Sequence, residues 1–241
     1  MLRPGSPWRV EVVERTGSTN TDLAARARGG DCDDHTVLIA LDQGTGRGRL
    51  ARTWTTEPGT SVAMSMAVPR QGRPWGLLPV ATGVAVARAL GHMGVDARLK
   101  WPNDVYIGAR KVCGILAEVA GSQVVVGVGI NVTQTHEQIR FPTATSLAMS
   151  GADVTRELVV ASVLNQMDQV LDDLTAEGGG DRLIDAYRPL CFTLGNTVRV
   201  YLTEEDVVEG QAVDVAPDGQ LLVSVDGRVR AFASGDVYHL R

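Results

Sequence analysis

Two periods of apolar residues run along the chain, and where one gives way to the other marks the elements. Alternation over residues 8–15 (WRVEVVER) predicts a strand. STNTDLAARARG (18–29) then predicts a helix with Ser18 or Thr19 near its N-cap and Gly29 and Gly30 at its end. HTVLIALDQ (35–43) predicts a buried strand, and SVAMSMAVP (61–69) another, with small and large side chains alternating. An apolar helix is expected from after Pro74 to Gly94, then strands at 97–102, 103–108, 111–120 and 123–132 joined by short turns. Residues 155–178 carry the apolar spacing of an amphipathic helix, and 181–190 of a shorter one.

After Cys191 the texture changes to short alternating strands split by PDG and DG turns. The expected architecture is α+β: a central mixed, largely antiparallel sheet with flanking helices on one side, then a small C-terminal barrel. The expected boundary divides 1–192 from 193–241, and no internal repeat is visible.

Composition removes several classes. At 241 residues the chain can bury a sizeable core, and its 44% apolar content is that of a globular protein. No apolar run is long enough to span a bilayer, and the N-terminus has no signal-peptide core, so no membrane partner is expected. Cys32, Cys113 and Cys191 lack metal-ligand spacing and are expected as free thiols of a cytoplasmic protein. A net charge of −5 argues against a general nucleic-acid binder, and no DNA partner is expected. Of the 23 basic residues 21 are arginine, which singles out Lys100 and Lys111 as places where a compact ammonium is needed.

The chain has no Walker-type phosphate loop, no G-x-G-x-x-G, no G-x-S-x-G, and no ligand spacing among its four histidines. Four stretches remain. TGSTN (16–20) sets hydroxyls and an amide at a strand-to-helix turn, either as an ordinary N-cap or as a cradle for a neutral polar ring. QGTGRGRLARTW (43–54) combines mobile glycines with Arg47, Arg49 and Arg52, forked donors suited to carboxylate or phosphate. Gln43 ends the preceding strand, and Trp54 could stack on a purine. KWPNDVYIGARKVCGILAE (100–118) places Asn103, Asp104 and Lys111 in one hairpin, a set suited to phosphate and Mg²⁺ with Asp104 as the metal's carboxylate. GVGIN (127–131) has glycines inside a strand, a sign of close approach by another backbone or a ligand.

In this order and spacing, GSTN, GRGR…R.W, KWPNDV, RKVCGILAE and GVGIN resemble the biotin protein ligase family, in its single-function type. The resemblance covers residue 10 to the end, including a C-terminal SH3-like β-barrel. It implies use of ATP and Mg²⁺ to convert biotin to biotinyl-5′-AMP. Transfer then follows to a lysine on the biotin carboxyl carrier domain of an acyl-CoA carboxylase. By matched motif, Ser18, Thr19, Asn20 and Gln43 would hold the biotin head group. Arg47, Gly48, Arg49 and Lys111 would meet its carboxylate end and the acyl phosphate. Arg47, Arg49, Arg52, Trp54, Lys100, Asn103 and Asn131 would serve the nucleotide, with Trp54 and Asn131 at the adenine. Lys111, Arg49 and Asp104 would be catalytic, and Asp104 would also hold the metal.

Two departures stand out: Leu50-Ala51, where a second loop glycine is usual, and Cys113, where alanine is usual, expected to fill core space. No winged helix precedes the first motif, so no repressor activity is expected. A lipoate or octanoate ligase or transferase of the same fold, and a non-catalytic biotin-binding regulator, are the alternatives.

Overall fold

The computed structural model describes residues 1–49, 52–55, 57–70, 72, 74–139, 141–203 and 206–240. The chain begins with β1 (Arg9–Thr16), α1 (Thr19–Gly29) and β2 (Thr36–Gln43). Two short pieces, β3 (Gly46–Arg47) and β4 (Thr53–Trp54), precede β5 (Ser61–Pro69) and α2 (Leu78–Gly91). Then come β6 (Ala97–Lys100), β7 (Asp104–Ile107), β8 (Arg110–Ala120), β9 (Gln123–Asn131), α3 (Arg156–Thr175) and α4 (Gly179–Tyr187). The last five strands are β10 (Thr197–Tyr201), β11 (Val207–Val215), β12 (Leu221–Val225), β13 (Arg228–Phe232) and β14 (Asp236–His239).

The first sheet has the order β1-β2-β5-β9-β8-β7-β6. Its β1–β2 pair is parallel, because α1 forms the crossover a parallel pair requires, and the other pairs are antiparallel. The mixed, largely antiparallel sheet expected from the sequence is therefore present. The helices, however, flank both of its faces and not one. Side chains alternate across a sheet with period two. Val37, Met64, Met66, Val126 and Val128 belong to the cluster packed with α2, α3 and α4. Their neighbours Leu38, Ala67 and Val125 face Leu23, Ala24 and Ala27 of α1 instead. A helix's apolar stripe shows that it covers a sheet, but only strand register shows which face.

That two-sided cover explains why β5 and β9 read as continuous apolar runs. It also positions the site. On the α1 face, past the end of α1, the same parity brings up Ala63 and Ser65 of β5, Gly127 and Gly129 of β9, and Gly114 of β8. These residues are small, so side chains from outside the sheet, Asn20 and Trp54, can lie against it, and an open cleft takes the place of a packed apolar layer.

The second sheet, order β13-β12-β11-β10-β14, is antiparallel throughout. It is tied to the first at several points. Trp101, 2% exposed, donates its indole N–H to the Gly219 carbonyl at 2.9 Å, and its backbone N–H donates to Thr193 Oγ1 at 3.1 Å. Phe192 N–H donates to the Leu99 carbonyl at 3.0 Å. Arg188 holds Asp214 of β11 at 2.7 Å, and this guanidinium keeps the Asp214 carboxyl below its ordinary range. No helix among the described residues is long and apolar enough to cross a membrane.

Candidate active site

The α1 end of the cleft is built from neutral polar groups. Ser18 is extended at the N-cap of α1 and its hydroxyl accepts from Thr21 N–H, as the sequence pattern requires of a cap. Thr19 donates its backbone N–H to Gln43 Oε1 at 2.9 Å, which fixes the Gln43 amide, and its hydroxyl lies 3.2 Å from the same oxygen. The Thr19 hydroxyl also meets Ser65 Oγ at 2.9 Å, and Ser65 donates to Asn20 Oδ1 at 3.1 Å. Asn20 Nδ2 donates in turn to Glu118 Oε2 at 2.5 Å. Ser18, Thr19, Asn20 and Ser65 are all buried, so these hydrogen bonds form where water competes little. The cap reading and the cradle reading of TGSTN thus describe the same residues: Ser18 caps, while Thr19 and Asn20 line the cleft.

The glycine-arginine stretch does not lie as a bare loop awaiting an anion. Its ends pair as β3 and β4, Gly46 with Trp54 and Arg47 with Thr53. A Cβ on Gly46 would collide with the Gln43 amide and the Trp54 backbone, so this glycine serves the ribbon's own packing. The three arginines are also engaged. Arg47 reaches both oxygens of Glu118 at 3.0 and 3.1 Å. Arg49 donates to Asn103 Oδ1 at 3.0 Å and to the Gly235 carbonyl at 3.4 Å. Arg52 pairs with Asp236 of β14. Burial pulls the Arg49 guanidinium below its ordinary pKa, while Asp236 and Asp104 work against that. Leu50 and Ala51 lie outside the described residues.

The KWPND stretch supplies the other cations. Asn103 donates to the Ile115 carbonyl at 2.7 Å, which presents its oxygen to Arg49. Lys111 Nζ lies 2.6 Å from Asp104 Oδ1 and 5.8 Å from the centre of the Trp54 ring. Lys100 Nζ sits between Tyr106 and Tyr238, at 5.5 and 5.6 Å from the ring centres. Burial lowers the Lys100 pKa; Asp104 raises it and the neighbouring Lys111 lowers it again. Burial also pushes the Tyr106 hydroxyl up to about 12. A cleft that holds two ammoniums and Arg49 partly out of water favours an anion between them.

The strand glycines are there for clearance. A Cβ on Gly129 would stand 2.7 Å from Trp54 Cε2, and one on Gly127 2.6 Å from Asn20 Oδ1. On Gly114 it would lie 3.3 Å from both Lys111 Nζ and Trp54. The indole therefore lies flat against the sheet, its Nε1 buried without a hydrogen-bond partner among the described residues. Asn131 gives Nδ2 to the Thr145 carbonyl at 2.8 Å and accepts from Gln134 at 3.1 Å. Its amide is committed to the segment that walls the cleft. Cys113, fully buried with its thiol pushed up by burial, fills core space on the opposite face, as expected.

All of these sequence-selected residues, from Ser18 to Asn131, line one cleft of about 890 Å³. Five participants were not selected: Ser65, Tyr106, Glu118, Asp236 and Tyr238. Glu118 closes the GIL.E motif and Asp236 stands in the terminal SGDVYHL, but neither signal says which partner the side chain takes. Ser65 showed only as a small polar residue within an apolar strand.

A model of the biotin/lipoate A/B protein ligase family matches residues 12–134. A model of the biotin protein ligase C-terminal domain matches residues 193–240. The biotin–[acetyl-CoA-carboxylase] ligase of Mycobacterium tuberculosis is 39% identical to the chain, spanning 100% of it and 93% of that protein. The bifunctional ligase/repressor BirA of Escherichia coli is 26% identical over 98% of the chain and 74% of its own length. Among solved structures, the Aquifex aeolicus biotin protein ligase in complex with biotin and ATP matches with a TM-score of 0.82 at 26% identity. That match covers 97% of this chain and 99% of the other.

Proposed function

The chain belongs to the biotin/lipoate A/B protein ligase family, and from that premise we propose that it is an ATP-dependent biotin–[acetyl-CoA-carboxylase] ligase. The observation that carries this is a cleft with two chemically different ends. One is neutral and polar (Thr19, Asn20, Gln43 and Ser65); the other is cationic (Arg49, Lys100 and Lys111). Biotin has the matching shape, a neutral ureido ring at one end and a carboxylate at the other.

In the first half-reaction a biotin carboxylate oxygen attacks the α-phosphorus of ATP. The bond to the bridging oxygen breaks and pyrophosphate leaves with the electron pair. Two anions must meet for this to happen, so fixed positive charge in a water-poor site is the main requirement. Lys111, on the cleft side of β8 next to Gly114, is the group assigned to the carboxylate and the α-phosphate. Arg47, Gly48 and Arg49 take the carboxylate end. Arg52, Lys100 and Asn103 serve the polyphosphate, and Trp54 takes the adenine against the glycine floor. Asn131 shapes that wall through the segment it holds. In the second half-reaction the carrier lysine attacks the anhydride carbonyl, AMP leaves, and the amine proton is lost.

Asp104 fits the family's Mg²⁺ in one particular way. No group of three potential metal-ligating side chains occurs among the described residues, so Asp104 would hold the ion as a single protein carboxylate, the arrangement usual for Mg²⁺ bound with a nucleotide. When bound, the ion supplies charge neutralisation on the triphosphate. Residues 1–192 would form the ligase domain and 193–241 its C-terminal cap. The acceptor is the biotin carrier domain of an acyl-CoA carboxylase, and the setting is the cytoplasm.

A thermal shift separates this reading from the lipoyl one. Biotin at 100 times its Kd should stabilise the protein by about 2.7 kcal/mol. Lipoate should leave the melting temperature unchanged; a shift with lipoate and none with biotin would reverse the assignment. The glycine floor gives a second expected result. Gly129→Ala must displace the Trp54 ring, an overpacking cost of about 1–3 kcal/mol, or roughly tenfold in ATP affinity. Titration of ATP against Trp54 fluorescence checks this, and unchanged affinity would remove Trp54 from the nucleotide site.

A further inference from the structure

Glu118 is absent from the cleft wall, yet it touches two residues that form it. Its Oε2 accepts from Asn20 Nδ2 at 2.5 Å, and Arg47 Nη1 donates to both of its oxygens at 3.0 and 3.1 Å. Traced the other way, Asn20 Oδ1 accepts from Ser65, Ser65 accepts from the Thr19 hydroxyl, and the Thr19 backbone N–H donates to Gln43. Gln43 ends β2 and Arg47 ends β3, four residues on along the chain. The six residues therefore make a ring that leaves the loop at Gln43, crosses α1 and β5, and returns to the loop at Arg47.

A carboxylate has a specific place in that ring. An amide can point either way, and Asn20 is held in one sense because Nδ2 faces an acceptor-only group while Oδ1 faces a hydroxyl. The same carboxylate neutralises the guanidinium it holds. Arg47 is half exposed, so the ion pair by itself contributes little. The buried amide of Asn20 is where the fixed orientation has its effect, because Asn20 stands at the neutral end of the cleft.

We propose that Glu118 is a positioning residue that couples the head-group end of the cleft to the arginine loop, orienting Asn20 and seating Arg47 in one geometry. This rests on the ligase reading for the identity of the ligand. The coupling itself can be tested without it.

Glu118→Gln replaces an acceptor-only group with one that presents an N–H₂ to either donor. Three quantities are read on the full chain: biotin affinity by calorimetry, the KM for ATP, and amide hydrogen exchange across residues 43–49 without ligand. Expected are a roughly tenfold loss of biotin affinity, an ATP KM within about twofold of wild type, and faster exchange in the loop with the melting temperature preserved. Unchanged biotin affinity together with unchanged exchange would overturn the proposal. So would an equal loss for biotin and ATP with a lowered melting temperature, since that is the mark of a structural role. If Glu118→Gln does not fold, Glu118→Asp, which keeps the charge but withdraws it by one methylene, is read by the same three quantities. Should the wild-type protein fail to bind biotin, the ligase reading falls, and loop exchange alone then decides for or against the coupling.

Discussion

Lys111→Ala is expected to lose biotinyl-adenylate synthesis by roughly a hundred- to a thousandfold, the usual cost of removing a fixed donor aimed at developing charge. Lys111 is the second residue of β8, next to the bulge between Val105 and Tyr106, and its ammonium lies over Trp54 and beside Asp104. No other lysine but Lys100 exists in the chain, and Lys100 is held between two tyrosine rings. A replacement ammonium therefore cannot swing in, and the loop arginines are held by Glu118, Asn103 and Asp236. The strand should survive the change, because Lys111 is held by its backbone: its N–H donates to the Thr143 carbonyl and its carbonyl accepts from Thr145, both at 2.8 Å. The Lys111 side chain is 30% exposed, so its loss leaves no deep cavity. Lys111→Arg should not rescue the rate, since the planar fork does not fit where a compact ammonium lies against an indole face. Pre-steady-state adenylate formation at the wild-type rate in Lys111→Ala would remove Lys111 from the catalytic set.

The second large effect concerns stability. Trp101→Ala should cost about 3–5 kcal/mol, the range for emptying a buried aromatic position. The indole is 2% exposed and is the joint between the two sheets, reaching Gly219 in the β11–β12 turn. Truncation leaves a cavity and strips the Gly219 carbonyl of its donor. It also loosens the segment that carries Lys100, Asn103 and Asp104, so activity should fall with stability. Trp101→Phe separates the terms: it keeps most of the volume and loses the hydrogen bond, at about 1 kcal/mol. Urea unfolding checks both. A Trp101→Ala change below about 1 kcal/mol would mean that the joint is not the structural tie the packing indicates.

Much of the site was legible because rarity and local spacing carry information that three-dimensional contact does not add. Lys100 and Lys111 stand out in a chain that otherwise uses arginine, and the glycines of GVGIN interrupt a strand pattern that offers no other reason for them. What escaped were relations between distant residues. Glu118 lies 98 positions from Asn20 and 71 from Arg47, and an acidic residue on a strand looks the same whether it faces water or holds an amide. The partners of the loop arginines escaped for the same reason: Asp236 is 184 positions from Arg52. The fold was legible at the level of elements and mixed pairing. The face covered by α1 was not, since that depends on whether Leu38 or Val37 points towards it, and both are apolar.

One cleft is expected both to activate biotin and to hand it on, and mass spectrometry of the protein incubated with biotin, ATP and Mg²⁺, with and without a biotin carrier domain, follows both steps. Biotinyl-5′-AMP should accumulate without the carrier and disappear as the carrier gains one biotin mass. Biotin bound without any adenylate formed would make the protein a biotin-binding regulator instead of a ligase.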